Sequence, residues 1–265
     1  VNILEKIVLH KRKEVTDRKA QTSIANLEQS EFFGRTCVSL SETLKRANPI
    51  GIIAEMKRSS PSTGMMRPNL DVPNLGQDYI HSGASALSIL TDSEFFAGKN
   101  EDLRTARKSN DAPILRKDFI VDEYQLIEAK SIGADCILLI AACLETRDCA
   151  RLAESARSLG LEVLLEVHSK EEIDAYPNEH INLIGINNRN LKTFQTSIQH
   201  SLDLYDSLPQ ELVKISESGI SNGAQLRELK NRGFDGFLIG GHFMKSNDPA
   251  TACKDLIKEF KKTAL

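Results

Sequence analysis

The chain has 265 residues, 40% of them hydrophobic, which is enough to bury a large core and ordinary in length for a single α/β barrel. Its 34 basic and 37 acidic residues leave a net charge of -3, without the basic field that nucleic acid or an anionic membrane surface demands. No apolar run reaches the ~18 residues of a membrane span, and the five cysteines (Cys37, Cys136, Cys143, Cys149, Cys253) form no CxxC pair, so neither a disulfide framework nor a zinc site is supported.

The chain opens on VNILEKIVLHKRKEV, which reads as an amphipathic helix. It lacks the continuous apolar stretch and small-residue cleavage site of a secretory signal, so a cytoplasmic protein is expected. With the helical pattern LSETLKRA it makes up an N-terminal helical extension over residues 1–50, too short for an independent domain. One domain is expected over 1–265, and the end at Leu265 leaves no expected room for a fused second barrel.

Eight segments rich in Ile, Val and Leu follow: GIIAEM (51–56), ALSILT (86–91), PILRKDF (113–119), DCILLIA (135–141), EVLLEVH (162–168), LIGINN (183–188), VKISES (213–218) and GFLIG (236–240). Between them lie segments such as EYQLIEAKSIGAD and RDCARLAESARSLGLE, whose apolar residues recur every three or four positions and stop at Gly, the mark of helices. Strands without strict alternation, each followed by a helix, imply a parallel sheet covered on its faces. Eight such units predict an α/β fold, the closed (β/α)8 TIM barrel, with a doubly wound open sheet as the structural rival.

A barrel interior is apolar, whereas the C-terminal strand ends form the floor of the site, so polar residues should come late in each strand. They do. Glu55 and Lys57 end the first, Lys117 the third, Glu166 and His168 the fifth, Asn187 and Arg189 the sixth, and Glu217 and Ser218 the seventh. Residues two apart share a face of a strand, so Glu55 with Lys57, Lys117 with Phe119, and Asn187 with Arg189 should point together. Charges of both signs in a partly desolvated pocket shift one another's pKa, which tunes acids and bases. Taken singly, Lys57 or Lys117 reads equally as a solvated rim residue, and His168 reads as a structural or mouth residue. Glu166 is the stronger signal, because an acid behind the apolar run VLL is costly to bury unpaired. The remaining histidines (His10, His81, His180, His200, His242) have no ligand spacing, so no metal site is expected. Phe95 and Phe96 suit core or pocket wall. Ser218 and Gly219, and Gly240 and Gly241, lie between a strand and a predicted helix, where a phosphate site is expected on this barrel, although such turns need glycine for geometry as well.

IIAEMKRSSPSTG, LSILTDSEFFAG, ILRKDFIVDEYQ, LLEVH, IGINNRNLKTF, ISESGI and FLIGGHFM, in this order and spacing, resemble indole-3-glycerol phosphate synthase, as does the N-terminal ILEKIVLHKRKEV. The resemblance spans nearly the whole chain. It implies conversion of 1-(2-carboxyphenylamino)-1-deoxyribulose 5-phosphate to indole-3-glycerol phosphate, carbon dioxide and water in tryptophan biosynthesis, with no cofactor. It further implies Lys117 as general acid, Glu166 as the base assisting dehydration, Lys57 on the substrate carboxylate and in a later proton delivery, and Glu55 orienting the lysines. Asn187 and Arg189 would hold the anthranilate end, Glu217 and Ser218 the hydroxylated chain. Phe96, Phe119 and Leu191 would wall the aromatic ring, and Ser60, Gly219, Gly240 and Gly241 would meet the phosphate. Position 241 departs from the family pattern, which commonly has a larger residue there; a side-chain contact to phosphate is missing, and His242 is the neighbour that could compensate. Two other readings stay open: an aldolase forming a Schiff base at Lys117 or Lys57, and a noncatalytic phosphate-binding barrel. Association with other enzymes of the tryptophan pathway also stays open.

Overall fold

The computed structural model describes residues 3–190 and 193–262. All eight apolar runs form strands: β1 (Gly51–Met56), β2 (Ala86–Leu90), β3 (Ile114–Lys117), β4 (Cys136–Ile140), β5 (Glu162–Val167), β6 (Leu183–Asn187), β7 (Val213–Glu217) and β8 (Gly236–Ile239). Each pairs in parallel with its sequence neighbours, and β1 also pairs with β8, so the sheet closes into a barrel. The doubly wound rival is thereby excluded, since an open sheet leaves two edges unpaired.

The continuous apolar character of the runs follows from burial on both faces. Ile52, Ala54, Met56, Leu87, Ile89, Leu165, Ile186 and Phe237 belong to one cluster that packs with the surrounding helices. The alternate residues Ile53, Leu115, Leu138, Leu164, Leu183, Ile215 and Leu238 belong to a second cluster, inside the barrel. Each such side chain contributes roughly 1.5–3 kcal/mol against exposure, which offsets the cost of polar groups at the strand ends. A step of two residues from the inner series reaches Glu55, Lys117, Glu166 and Glu217, and Asn187 follows at the end of β6.

The extension contains three helices: α1 (Ile3–Gln21), α2 (Ile24–Glu28) and α3 (Leu40–Lys45). The short α2 was not anticipated; it is capped by the Ser23 side chain, which accepts from the Asn26 N–H. Leu40 and Leu44 of α3 join the inner cluster, with Leu44 against the strand starts at Gly51 and Gly236, so α3 plugs the N-terminal end of the barrel. Helix α1 lies at the opposite end. Its buried stripe is Ile7, Lys11 and Val15, a helical period with an ammonium in the middle. Lys11 is fully buried, with Nζ 2.8 Å from Asp92 Oδ1, 2.9 Å from Asp118 Oδ1 and 2.9 Å from Glu14 Oε2. Burial opposes the Lys11 charge, but Asp118 and Asp92 outweigh it and hold the pKa above the ordinary lysine value.

Candidate active site

A cavity of about 500 Å³ opens at the C-terminal ends of the strands. Fourteen of the fifteen expected site residues line it: Glu55, Lys57, Ser60, Phe96, Lys117, Phe119, Glu166, Asn187, Arg189, Glu217, Ser218, Gly219, Gly240 and Gly241. The fifteenth, Leu191, lies outside the described residues. Lys57, Phe119 and Arg189 sit just beyond their strand ends, yet each still shares the cavity with its partner two residues earlier.

The charges form two groups of contacts on the floor, coupled through the field of Glu55 on Lys117. Lys117 Nζ donates to Glu166 Oε2 at 2.8 Å and to Glu217 Oε2 at 2.6 Å. Lys57 pairs with Glu55. Asn187 Nδ2 donates to Glu166 Oε1 at 3.1 Å, and Asn187 Oδ1 accepts from the Arg189 N–H at 3.0 Å. Burial of Lys117 works against its charge, but Glu166, Glu217 and Glu55 overcome it and the ammonium is held above its usual pKa. The two carboxylates on that ammonium diverge. Glu166 is pushed up by burial but pulled further down by Lys117, His168 and Asn187, so it stays ionised. Glu217 is pushed up by burial, which Lys117 does not cancel once Glu166 and Glu55 add their repulsion. Two neighbouring acids whose pKa values are pushed apart are the arrangement that separates an acid from a base. Glu217 Oε1 is buried without a hydrogen-bond partner among the described residues.

The apolar wall is made by Phe96 and Phe119, whose ring centroids lie 6.1 Å apart at 38°. Phe95 instead meets His10 of α1 edge-on at 5.8 Å, so the FF pair divides between wall and extension. Across the mouth, Arg189 Nη1 reaches Ser62 Oγ at 3.3 Å and the Phe194 carbonyl at 3.2 Å, joining the loops after β1 and β6. Ser60 lies in a two-residue hairpin, Ser59–Ser60 with Gly64–Met65, and its Oγ accepts from the Thr63 N–H at 3.2 Å. That hairpin was not anticipated.

The glycine loops differ from one another. Ser218 and Gly219 both have positive φ, 69° and 76°, an uncommon conformation for the serine and one that marks a constrained turn at the cavity. The helix that follows, Gly223–Arg232, starts only after Asn222 caps it, so Gly219 stands in the loop and not at the helix start. Gly240 directly precedes the five-residue helix Gly241–Lys245. A side chain at Gly240 would strike the carboxylate of Glu55, whereas one at Gly241 would meet nothing within 4 Å. His242 and Lys245 line the cavity beside them.

Several cavity or supporting residues carried no clear signal. Ile3, Leu4 and Ile7 bring α1 into the cavity wall. Asn188, buried next to Asn187, donates to the Ser216 hydroxyl and the Ser218 carbonyl at 3.0 Å each, and its own carbonyl accepts from the Ser201 hydroxyl at 2.8 Å. It fixes the strained Ser218 turn from outside. In the sequence it is one of two adjacent asparagines, and only strand parity separates their roles. All five cysteines are free thiols. Among the described residues no group of three or more His, Cys, Asp or Glu is placed to hold a metal, and no helix is long and apolar enough to cross a membrane.

The family model of indole-3-glycerol phosphate synthase matches residues 4–256. A relative of that name from Bacteroides thetaiotaomicron is 49% identical over 260 residues, covering 97% of this chain and 98% of its own length. Another of the same name from Polynucleobacter asymbioticus is 41% identical over 263 residues, covering 96% and 98%. Among solved structures, thiamine phosphate pyrophosphorylase from Pyrococcus furiosus superimposes with a TM-score of 0.61 at 18% identity, covering 83% of this chain and 96% of that one. At that identity the likeness speaks for the fold alone.

Proposed function

The chain belongs to the indole-3-glycerol phosphate synthase family, and from that premise we propose how its own side chains divide the ring closure, decarboxylation and dehydration of 1-(2-carboxyphenylamino)-1-deoxyribulose 5-phosphate. The observation that carries the assignment is Lys117, an ammonium held protonated between Glu166 and Glu217 on the floor of the cavity.

In ring closure the aromatic carbon bearing the carboxylate attacks the ribulose carbonyl. The carbonyl π electrons pass to oxygen, which takes a proton from Lys117. Carbon dioxide then leaves, and the bonding pair it gives up restores the ring. In dehydration the new hydroxyl departs as water with a proton from Lys57, while Glu166 removes a proton from the adjacent methylene. Two protons are given and one is recovered, so each turnover of the ionised carboxylate takes one proton from water.

Arg189 and Asn187 are suited to the anthranilate end, because both line the cavity that the two phenylalanines wall. Glu217 Oε1 and Ser218 are suited to the substrate hydroxyls. Ser60, Gly219, Gly240 and Gly241 form the phosphate end, where bare backbone permits close approach. Phe96 and Phe119 make an apolar bed that excludes water from the departing carboxylate. The raised pKa of Lys117 favours proton donation over a Schiff base, which needs the free amine. We read the chain as one domain acting in the cytoplasm on this phosphorylated small molecule, with the described part of the N-terminal extension, residues 3–50, packed on the barrel.

The test is turnover of the anthranilate conjugate followed by indole fluorescence in wild type and Glu166→Gln. The glutamine keeps the shape and loses the base, so kcat should fall by roughly 100-fold or more with KM little changed. Full turnover by Glu166→Gln would make that acid structural.

A further inference from the structure

His168 stands one residue beyond the end of β5, on the far side of Glu166 from Lys117. Its Nε2 lies 3.6 Å from Glu166 Oε1 and its Nδ1 lies 3.8 Å from Glu172 Oε2. The side chain is only 14% exposed, and neither ring nitrogen has a hydrogen-bond partner among the described residues, so both carboxylates stand at ion-pair distance. The backbone is pinned at both ends of the residue. Its N–H donates to Glu172 Oε2 at 2.6 Å, and its carbonyl bonds His200 Nε2 at 2.9 Å. Glu172 is itself fixed in the first turn of the helix Lys170–Ala175, which Ser169 caps.

A neutral imidazole offers one N–H and one lone pair, so it can serve only one of two flanking carboxylates and repels the other. Only the doubly protonated ring presents N–H to both. We propose that His168 is a positioning residue for the reaction: as an imidazolium between Glu166 and Glu172 it acts on Oε1 of Glu166 from outside the cavity, beside the Asn187 amide, while Lys117 holds Oε2 from within. The proposal rests on the reading of Glu166 as the base.

The groups facing His168 bear this out. Glu166 approaches from β5, Glu172 from the following helix and Glu217 from β7, while the nearest imidazole, His200, engages only its carbonyl. Burial opposes the charge, but the Glu172 contact and the fields of Glu166, Glu172 and Glu217 outweigh it and raise the His168 pKa above the ordinary value. The catalytic consequence is a reset. Once Glu166 has taken the methylene proton, it is a neutral carboxylic acid beside the imidazolium and 2.8 Å from Lys117, which gave up its own proton in ring closure; the imidazolium favours the anion, and the proton passes to the lysine.

The experiment is an NMR titration of the His168 imidazole in wild type, Glu166→Gln and Glu172→Gln, together with the pH profile of His168→Asn. The His168 midpoint should fall by about half a unit or more in each glutamine variant, because each removes one of the flanking anions. In His168→Asn the acid limb of kcat should move to higher pH by a similar amount, since Glu166 loses a neighbouring cation, while KM stays within about twofold. A purely structural histidine would leave the limb where it is. A His168 midpoint unmoved by both glutamine substitutions overturns the proposal, and this arm needs no fold from His168→Asn. Full turnover by Glu166→Gln would instead overturn the base assignment, a failure visible without any titration.

Discussion

Gly240 lies directly against the carboxylate of Glu55, so that a β-carbon on the glycine would stand closer to Glu55 Oε1 than van der Waals contact allows. Its φ of -127° is open to any residue, and the requirement for glycine is therefore one of space. The loop expected to meet phosphate and the acid expected to orient a lysine are thus one packed unit.

Gly240→Ala should push Glu55 aside and carry Lys57 with it, since the two are ion-paired. A displacement near 1 Å at a reacting group is enough for a loss of roughly tenfold to a hundredfold in kcat/KM. Gly241→Ala is the control, because its β-carbon meets nothing within 4 Å, and it should behave as wild type. Steady-state kinetics on the two variants decide the matter. Equal effects at both positions would mean that the loop's backbone, and not the Glu55 contact, sets the requirement.

The barrel was legible because parallel strands buried on both faces become runs of Ile, Val and Leu, and the site was legible because five of those runs end on charged or amide residues, which strand parity brings to one face. The two-residue hairpin at Ser59–Ser60 and the short helix Ile24–Glu28 were not, as neither is long enough to show a period. Lys11 was hidden for a different reason. Its partners Asp92 and Asp118 follow β2 and β3, and nothing local to α1 shows that its apolar stripe closes over two acids. The pairing of Lys117 with Glu217 was equally invisible, since convergence of strand ends identifies a pocket but not which charges touch.

Lys117 separates acid catalysis from covalent catalysis. Held above its ordinary pKa by Glu166, Glu217 and Glu55 against burial, it should remain an ammonium at neutral pH. Borohydride added during turnover should then trap no substrate, and the protein mass should be unchanged. Lys117→Met should lower kcat by two to four orders of magnitude, about the range that a positioned general acid supplies. Near-ultraviolet circular dichroism should stay native. A reduced adduct mapping to Lys117 would establish the Schiff-base reading.

Lys11 should govern the docking of α1 and its dependence on pH. Lys11→Met leaves Asp92 and Asp118 buried without their shared ammonium, a change that typically costs about 3–5 kcal/mol. Arg116, whose Nη2 lies 3.2 Å from Asp118 Oδ2, keeps one of the two acids partly compensated, so a result toward the lower figure is expected. The pH dependence follows from Asp118. Burial raises its pKa, but Lys11 and Arg116 outweigh burial and depress it below the unfolded value. A carboxyl with a depressed folded pKa contributes stability that is present above the unfolded pKa of roughly 3.9 and is lost as pH falls through the folded one. Urea unfolding of wild type should therefore show stability declining below about pH 4, and Lys11→Met should show a shallower decline from a lower plateau. Because Ile3, Leu4 and Ile7 line the cavity, a loosened α1 should also raise KM well before global unfolding. An unchanged urea midpoint in Lys11→Met would mean that the helix is held by its apolar contacts and that the buried ammonium contributes nothing net to its docking.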